Sequence, residues 1–272
     1  MDATTHDLLL RGVRVRFQDE GRGPAVLLVH GFLVSHSAWT ALLPLLTPRF
    51  RVIAPDLPGF GDSEKPARYS YSREAYADTL CDLLAGLGIP RASVVGHGMG
   101  GGVALTMAAA HPEHVERLVA MDAAAFPSGL GLRQRLPRLP WVGPLLFKQL
   151  YGRLLFHRQF RDEFYLPGYP YDRARVDAWF EAFDPPEARE SAYKALLALG
   201  DTAALTPRLP RVRAPSLVLW GERDRRYPVE LGERLARELP DARLEVIAGA
   251  GHCPADDHPD ETAAHLERFL LG

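Results

Sequence analysis

The sequence predicts an α/β fold: an eight-stranded, mostly parallel sheet with helices on both faces and an inserted helical cap. Three observations predict it. Short, unbroken apolar runs alternate with helical patterns along most of the chain. The first two runs instead alternate apolar and polar residues in period two. One long stretch, from Phe126 to about Val212, carries no strand pattern at all.

Leu8 to Asp19 reads as an antiparallel strand pair at the start of a sheet. Ala25–His30, Arg51–Pro55, Ser93–Gly96, Leu118–Met121, Ser216–Trp220 and Leu244–Ile247 are short, mainly apolar runs that read as buried parallel strands. Helical patterns lie between them near Ser37–Leu46, Ser72–Leu87, Met99–Ala110, Val229–Leu239 and Pro259–Leu271. Strands alternating with helices imply βαβ units, whose crossovers are right-handed. The strandless stretch is rich in Pro, Leu, Arg and aromatic residues, and reads as a cap over the C-terminal ends of the strands. The expected division is a core of residues 1–125 and 213–272 with the cap at 126–212.

Composition bounds the rest. The chain has 272 residues, 47% hydrophobic and 24% charged, which suits one large globular domain with an insertion. A net charge of −2 gives no global attraction to nucleic acid or acidic membranes. Two cysteines, Cys81 and Cys253, make neither a disulfide framework nor a zinc cluster. No metal or cofactor is expected. Met1 to Asp7 has no Lys or Arg and lacks a signal-peptide layout, and no run of about 18 apolar residues suggests stable membrane insertion. The expected location is cytoplasmic.

The most informative segment runs Ser93-Val94-Val95-Gly96-His97-Gly98-Met99-Gly100-Gly101. A strand enters a helix through a turn with small residues two before and two after its centre, the layout of a nucleophile elbow, G-x-S-x-G. Such a turn lifts its central side chain above the sheet, beside a helix N-terminus that favours negative charge. On this segment and the loops below, the chain from about residue 8 to 270 resembles the α/β-hydrolase superfamily, in particular its capped esterase, lactonase and C–C hydrolase members. Where those carry Ser, Asp or Cys, this sequence has Gly98. Glycine has no atom to attack a carbonyl, so covalent catalysis through position 98 is excluded by chemistry.

The resemblance implies the other site residues. Gly221-Glu222-Arg223-Asp224 follows a strand and resembles the family's acid turn, with Asp224 as the acid; Glu222 and Asp122 are weaker candidates. Gly251-His252-Cys253-Pro254 follows the last strand and resembles the histidine loop, with His252 as the catalytic base. Asp224 would fix the His252 tautomer and stabilise its protonated form. His30-Gly31-Phe32 matches the oxyanion loop, implying an oxyanion hole of the Phe32 and Met99 backbone N–H groups. Asp56-Leu57-Pro58-Gly59-Phe60-Gly61-Asp62-Ser63 resembles a structural loop of the family, so Ser63 is not a substitute nucleophile. Cys253 reads as a small apolar filler, Cys81 as a core residue of a helix, and His30 and His97 as structural.

Ala123 to Arg161 holds seven basic side chains, Arg133, Arg135, Arg138, Lys148, Arg153, Arg158 and Arg161, and no Asp or Glu. The plain reading is a lid helix with arginines in water. An anionic substrate, an acyl-carrier partner or transient membrane contact are the sharper ones, and a homodimer contact through the cap is a further option. Of the interleaved aromatics, Trp141, Phe147 and Tyr151 are the candidates for an apolar substrate pocket.

Three functions fit. The first is a nucleophile-deficient hydrolase that binds a small, largely apolar ester or carbonyl compound. The second is a His252-based enzyme working without a covalent step: a lyase, cyclase, decarboxylase or water-mediated hydrolase. The third is a non-catalytic ligand-binding protein.

Overall fold

A computed structural model describes residues 5–127, 139, 141–199, 202 and 204–272. Eight strands form one sheet: β1 (Thr5–Leu10), β2 (Val13–Gly21), β3 (Ala25–Val29), β4 (Arg51–Pro55), β5 (Ala92–His97), β6 (Val115–Met121), β7 (Ser216–Gly221) and β8 (Ala242–Ile247). Their order is β1-β2-β4-β3-β5-β6-β7-β8. β2 is antiparallel to both β1 and β4, and every later pairing is parallel. The expected eight-stranded, mostly parallel sheet is what the chain forms.

Sequence explains the layering. β5 and β7 are buried at every position, so both faces carry apolar residues. Along β3, Val26 and Leu28 join one apolar layer with Trp39, Leu46 and Phe269, while Leu27 and Val29 join the other with Leu84, Val103 and Trp220. Successive strand residues point to opposite faces, and each face is covered.

The helices α1 (Leu43–Leu46), α2 (Arg73–Gly86) and α3 (Met99–Ala110) follow in order. Ser72 caps α2 by accepting the Ala75 N–H at 3.2 Å. The helix expected over Ser37–Leu46 is instead split into a 3₁₀ turn, His36–Trp39, and the short α1. Pro44 explains the split: it has no N–H to give to a carbonyl one turn earlier, so it is confined to the opening of a new helix.

Between β6 and β7 the described residues hold helices but no strand: α4 (Val142–Leu145), α5 (Arg153–Gln159), α6 (Arg173–Phe183) and α7 (Pro186–Leu199). Wide π-type turns, Leu146–Leu150 and Phe160–Phe164, follow α4 and α5. Arg133, Arg135 and Arg138 lie outside the described residues. The insertion has an aromatic centre, where Phe156 packs on Phe160, Phe180 and Phe183. It is tied down at several points. Trp179 Nε1 donates to Ser37 Oγ at 2.8 Å, Tyr71 Oη and Ser191 Oγ share a hydrogen bond of 2.7 Å, and Tyr165 Oη donates to Asp256 Oδ2 at 2.6 Å. Three more helices complete the chain: α8 (Val229–Glu238), α9 (Pro254–Asp257) and α10 (Pro259–Leu271).

Candidate functional site

The site is built at the C-terminal ends of β3, β5, β6, β7 and β8. The turn from β5 into α3 is very tight. A side chain at Gly96 would stand 2.2 Å from the Gly100 carbonyl oxygen, and one at Gly100 would stand 2.1 Å from the Val29 carbonyl oxygen. No Cβ fits at either position, which is why the elbow needs both glycines. Gly98 N–H donates to Met121 O at 3.0 Å, and Ala124 N–H donates to Gly98 O at 2.9 Å, so neighbouring β6 and the loop after it pin the turn.

Gly98 itself is a different case. Its φ is 54° and its ψ −115°, a conformation that costs a residue with a Cβ on the order of 1–3 kcal/mol. Space is not the obstacle. A Cβ at Gly98 would lie 3.6 Å from His252 Nε2 and 3.9 Å from Gly31 Cα, both ordinary contacts. The turn keeps the strained geometry of an elbow and aims position 98 at the His252 ring.

His252 and Asp224 come together. Nδ1 of His252 is 2.8 Å from Asp224 Oδ2, and both side chains are buried. With its Nδ1–H donating to Asp224 Oδ2, the ring turns Nε2 to the space over Gly98. The other carboxylate oxygen, Oδ1, accepts backbone N–H groups of Arg226 at 2.7 Å and Tyr227 at 3.0 Å. Burial alone would raise the Asp224 carboxyl. The His252 ring and those two N–H donors outweigh it and hold the group below the usual carboxylate range.

Of the weaker acid candidates, Glu222 points elsewhere and accepts the Gly249 N–H at 2.8 Å. Asp122 is closer. It is fully buried, its φ is 44°, and its Oδ1 accepts the Gly221 N–H at 3.0 Å. Its Oδ2 has no hydrogen-bond partner. Ligand atoms of Asp122, Asp224 and His252 lie within 4.8 Å of one another. Burial, then the Asp224 charge, pushes the Asp122 carboxyl well above the usual range, which favours its protonated form beside the Asp224 carboxylate.

The other histidines hold loops in place. His97 Nε2 donates to the His252 carbonyl oxygen at 2.6 Å; burial, then its neighbour His252, drives its pKa down to about 3, so it is neutral. His30 Nε2 accepts the Leu57 N–H at 3.0 Å, and its Nδ1 donates to Gly31 O at 2.7 Å. Ser63 Oγ is held by Asp56 O at 2.6 Å and accepts the Arg16 N–H at 2.8 Å, which keeps it within its own loop. Cys253 is half-buried, and burial followed by the charges of Asp256 and Asp257 pushes its thiol well up. It is no thiolate, and Cys81 is packed in α2 with its thiol raised to about 12, mainly by burial.

Phe32 follows β3, and Met99 opens α3, where first-turn N–H groups have no helical acceptor. Gly31 lies against both His97 and the space over Gly98, so this loop faces the elbow. The Phe32 ring is buried against Phe60 and Phe147.

The aromatic candidates divide. Phe147 is buried between Phe32, Tyr151 and Phe183, and half-buried Tyr151 stacks on it and donates to Gln159. Trp141 is 93% exposed, contrary to the sequence expectation of a pocket residue, and stands just ahead of α4 with a φ of 69°. Sequence reasoning missed the rings that do surround His252: Phe164 lies edge-on at 5.1 Å and Tyr227 at 5.4 Å. Tyr227 carried a usable signal, since it lies between Asp224 and Pro228; Phe164 carried none. Beside the site, Gly31, His97, Phe160, Phe164, Trp179 and Cys253 help enclose an apolar cavity of about 20 Å³, room for about one water.

Comparison with known proteins agrees with this architecture. The α/β hydrolase fold family model matches residues 24–259. The chain is 31% identical to a 2-hydroxymuconate semialdehyde hydrolase of Pseudomonas putida, over 97% of this chain and 93% of that one. Among solved structures, a bacterial membrane phospholipase A described as a virulence factor superposes with a TM-score of 0.82 at 30% identity, covering 99% of this chain and 86% of that one. A meta-cleavage product hydrolase from Pseudomonas fluorescens gives a TM-score of 0.84 at 25% identity, covering 98% and 97%. A sheet of this order, the elbow turn and a family model spanning most of the chain lead to one conclusion: this chain belongs to the α/β-hydrolase family.

Proposed function

We propose that this protein is a nucleophile-deficient hydrolase that binds a small, largely apolar ester or carbonyl compound beside His252. One observation carries the reading. Position 98 keeps the elbow backbone and faces His252 Nε2 across 3.6 Å from its would-be Cβ, yet supplies no nucleophilic atom. In this reading Asp224 fixes the ring, Nε2 is the base, and the Phe32 and Met99 N–H groups bind the carbonyl oxygen. Each such donor is worth about 2.7–4 kcal/mol in serine hydrolases. Relatives named as hydrolases and a phospholipase support a carbonyl substrate. The apolar lining of the cavity beside the site supports an apolar one.

The room over Gly98 also favours a second reading. A water held there by Nε2 would be positioned for attack, giving slow His252-dependent turnover without a covalent intermediate.

Hydrolysis of a p-nitrophenyl ester panel by the protein, by Gly98→Ser and by His252→Ala tests both. Removing a catalytic serine costs roughly 10⁶ in kcat, so even a poorly tuned Gly98→Ser variant should gain at least about 10²-fold. Turnover by the parent that disappears in His252→Ala establishes the water-mediated route. If Gly98→Ser folds and gains nothing on any ester, the hydrolase reading is wrong.

A further inference from the structure

The insertion carries an apolar surface that the site does not use. Eleven large hydrophobic side chains are exposed among the described residues, and seven of them fall between Leu139 and Leu155. Trp141 at 93% and Leu154 at 82% are the most exposed of all. Single exposed leucines need no explanation, but this concentration in 17 residues does. The segment comprises α4, the turn Leu146–Leu150 and the start of α5, so the apolar residues share one part of the insertion.

Charge points to what covers it. From Ala123 to Arg161 the chain has seven basic residues and no acid. Over residues 126–212 there are 13 basic and nine acidic residues, whereas the remainder holds 19 basic and 25 acidic. The chain as a whole is slightly negative, but this region is positive. Lys148 pairs with Glu190, Arg153 with Asp177 and Glu181, and Arg158 and Arg161 with Asp162. The Lys148 pair is half-buried, and the exposed pairs contribute only about 0–1 kcal/mol each.

We propose that the face from Leu139 to Leu155 docks reversibly on an anionic phospholipid surface. The leucines and Trp141 enter the headgroup–acyl boundary, and the basic residues meet lipid phosphates. No helix among the described residues is long and apolar enough to cross a membrane, so the contact is peripheral. The proposal is independent of any chemistry at His252.

The protein supplies its own probe. Its four tryptophans are Trp39, Trp141, Trp179 and Trp220, and all but Trp141 are buried. Tryptophan emission is followed as vesicles are added, either phosphatidylglycerol mixed with phosphatidylcholine or phosphatidylcholine alone, alongside co-sedimentation. The anionic vesicles should shift emission to the blue and pull the protein down, with weaker binding at higher salt. Trp141→Phe should lose the shift but still sediment. The double variant Trp141→Glu, Leu154→Glu should partition about tenfold less or worse while melting at the parent temperature, since both residues are exposed. Three results overturn the proposal: no partitioning, partitioning that the double substitution leaves intact, or a solution dimer that the double substitution disperses.

Discussion

The elbow and the cap are made in opposite ways. At the elbow, backbone packs on backbone: the Cβ positions of Gly96 and Gly100 are filled by carbonyl oxygens at 2.2 and 2.1 Å. In the cap, Gly152 has nothing within 4 Å of a would-be Cβ, and Trp141 and Leu154 stand in water. The elbow is over-determined by its neighbours, so Gly98 keeps a φ and ψ that would strain any residue with a Cβ. The cap is fixed by side chains, through its aromatic centre and a few polar ties to the core. The elbow backbone is thus set by the sheet and needs no side chain at position 98 to hold it, while the insertion is held by side-chain contacts.

Substitutions test that difference. The largest effect belongs to Gly100→Ala, where the new methyl meets the Val29 and His30 carbonyl oxygens. Backbone cannot move aside cheaply, so the variant should lose more than about 3 kcal/mol or fail to fold. Gly152→Ala has open space and should change stability by no more than about 0.5 kcal/mol in denaturant unfolding. A similar cost at both positions would end the distinction between the two regions.

A subtler effect follows from Asp122. Its carboxyl is raised in the folded protein, so above the unfolded value folding favours taking up a proton that the unfolded chain has released. The folded state therefore binds more protons, and this group's contribution to stability falls as pH rises above the unfolded value of about 3.9. Asp224 has the opposite sign. Its lowered carboxyl contributes stability above the unfolded value, lost as pH falls through the folded one. Asp122→Asn needs no proton and can still accept the Gly221 N–H. Its melting temperature should exceed that of the parent at pH 7, with the advantage shrinking toward pH 4. An equal difference at every pH would show that Asp122 is not held neutral.

The smallest effect is expected at Trp141. Trp141→Ser should leave the unfolding midpoint within about 0.5 kcal/mol of the parent, because an exposed side chain has little burial to lose.

How much of this was legible in the sequence also divides along the same line. Parallel strands buried on both faces are unbroken apolar runs, so β4 and α3 were readable to the residue and the eight-stranded sheet followed. The loops bearing Asp224 and His252 were readable because each follows a strand end and carries its own glycine or proline punctuation. The cap was legible only as helical. An aromatic residue in a short helix can face either way, and period alone does not choose, which is why Trp141 was expected in a pocket and is found in water. Phe164 beside His252 and the raised Asp122 carboxyl depend on packing between segments far apart in the chain, which no local pattern encodes.

In the proposed reading, everything needed for covalent chemistry at position 98 is in place except the nucleophile. The direct measurement is intact-protein and peptide mass spectrometry after exposure to a serine-directed fluorophosphonate. Gly98→Ser should gain the mass of one adduct, located on residue 98, with labelling much slowed when His252→Ala is added, and the parent should gain none. A folded Gly98→Ser variant that stays unlabelled, or a parent labelled at Ser63 or at a residue beside His252, would contradict it.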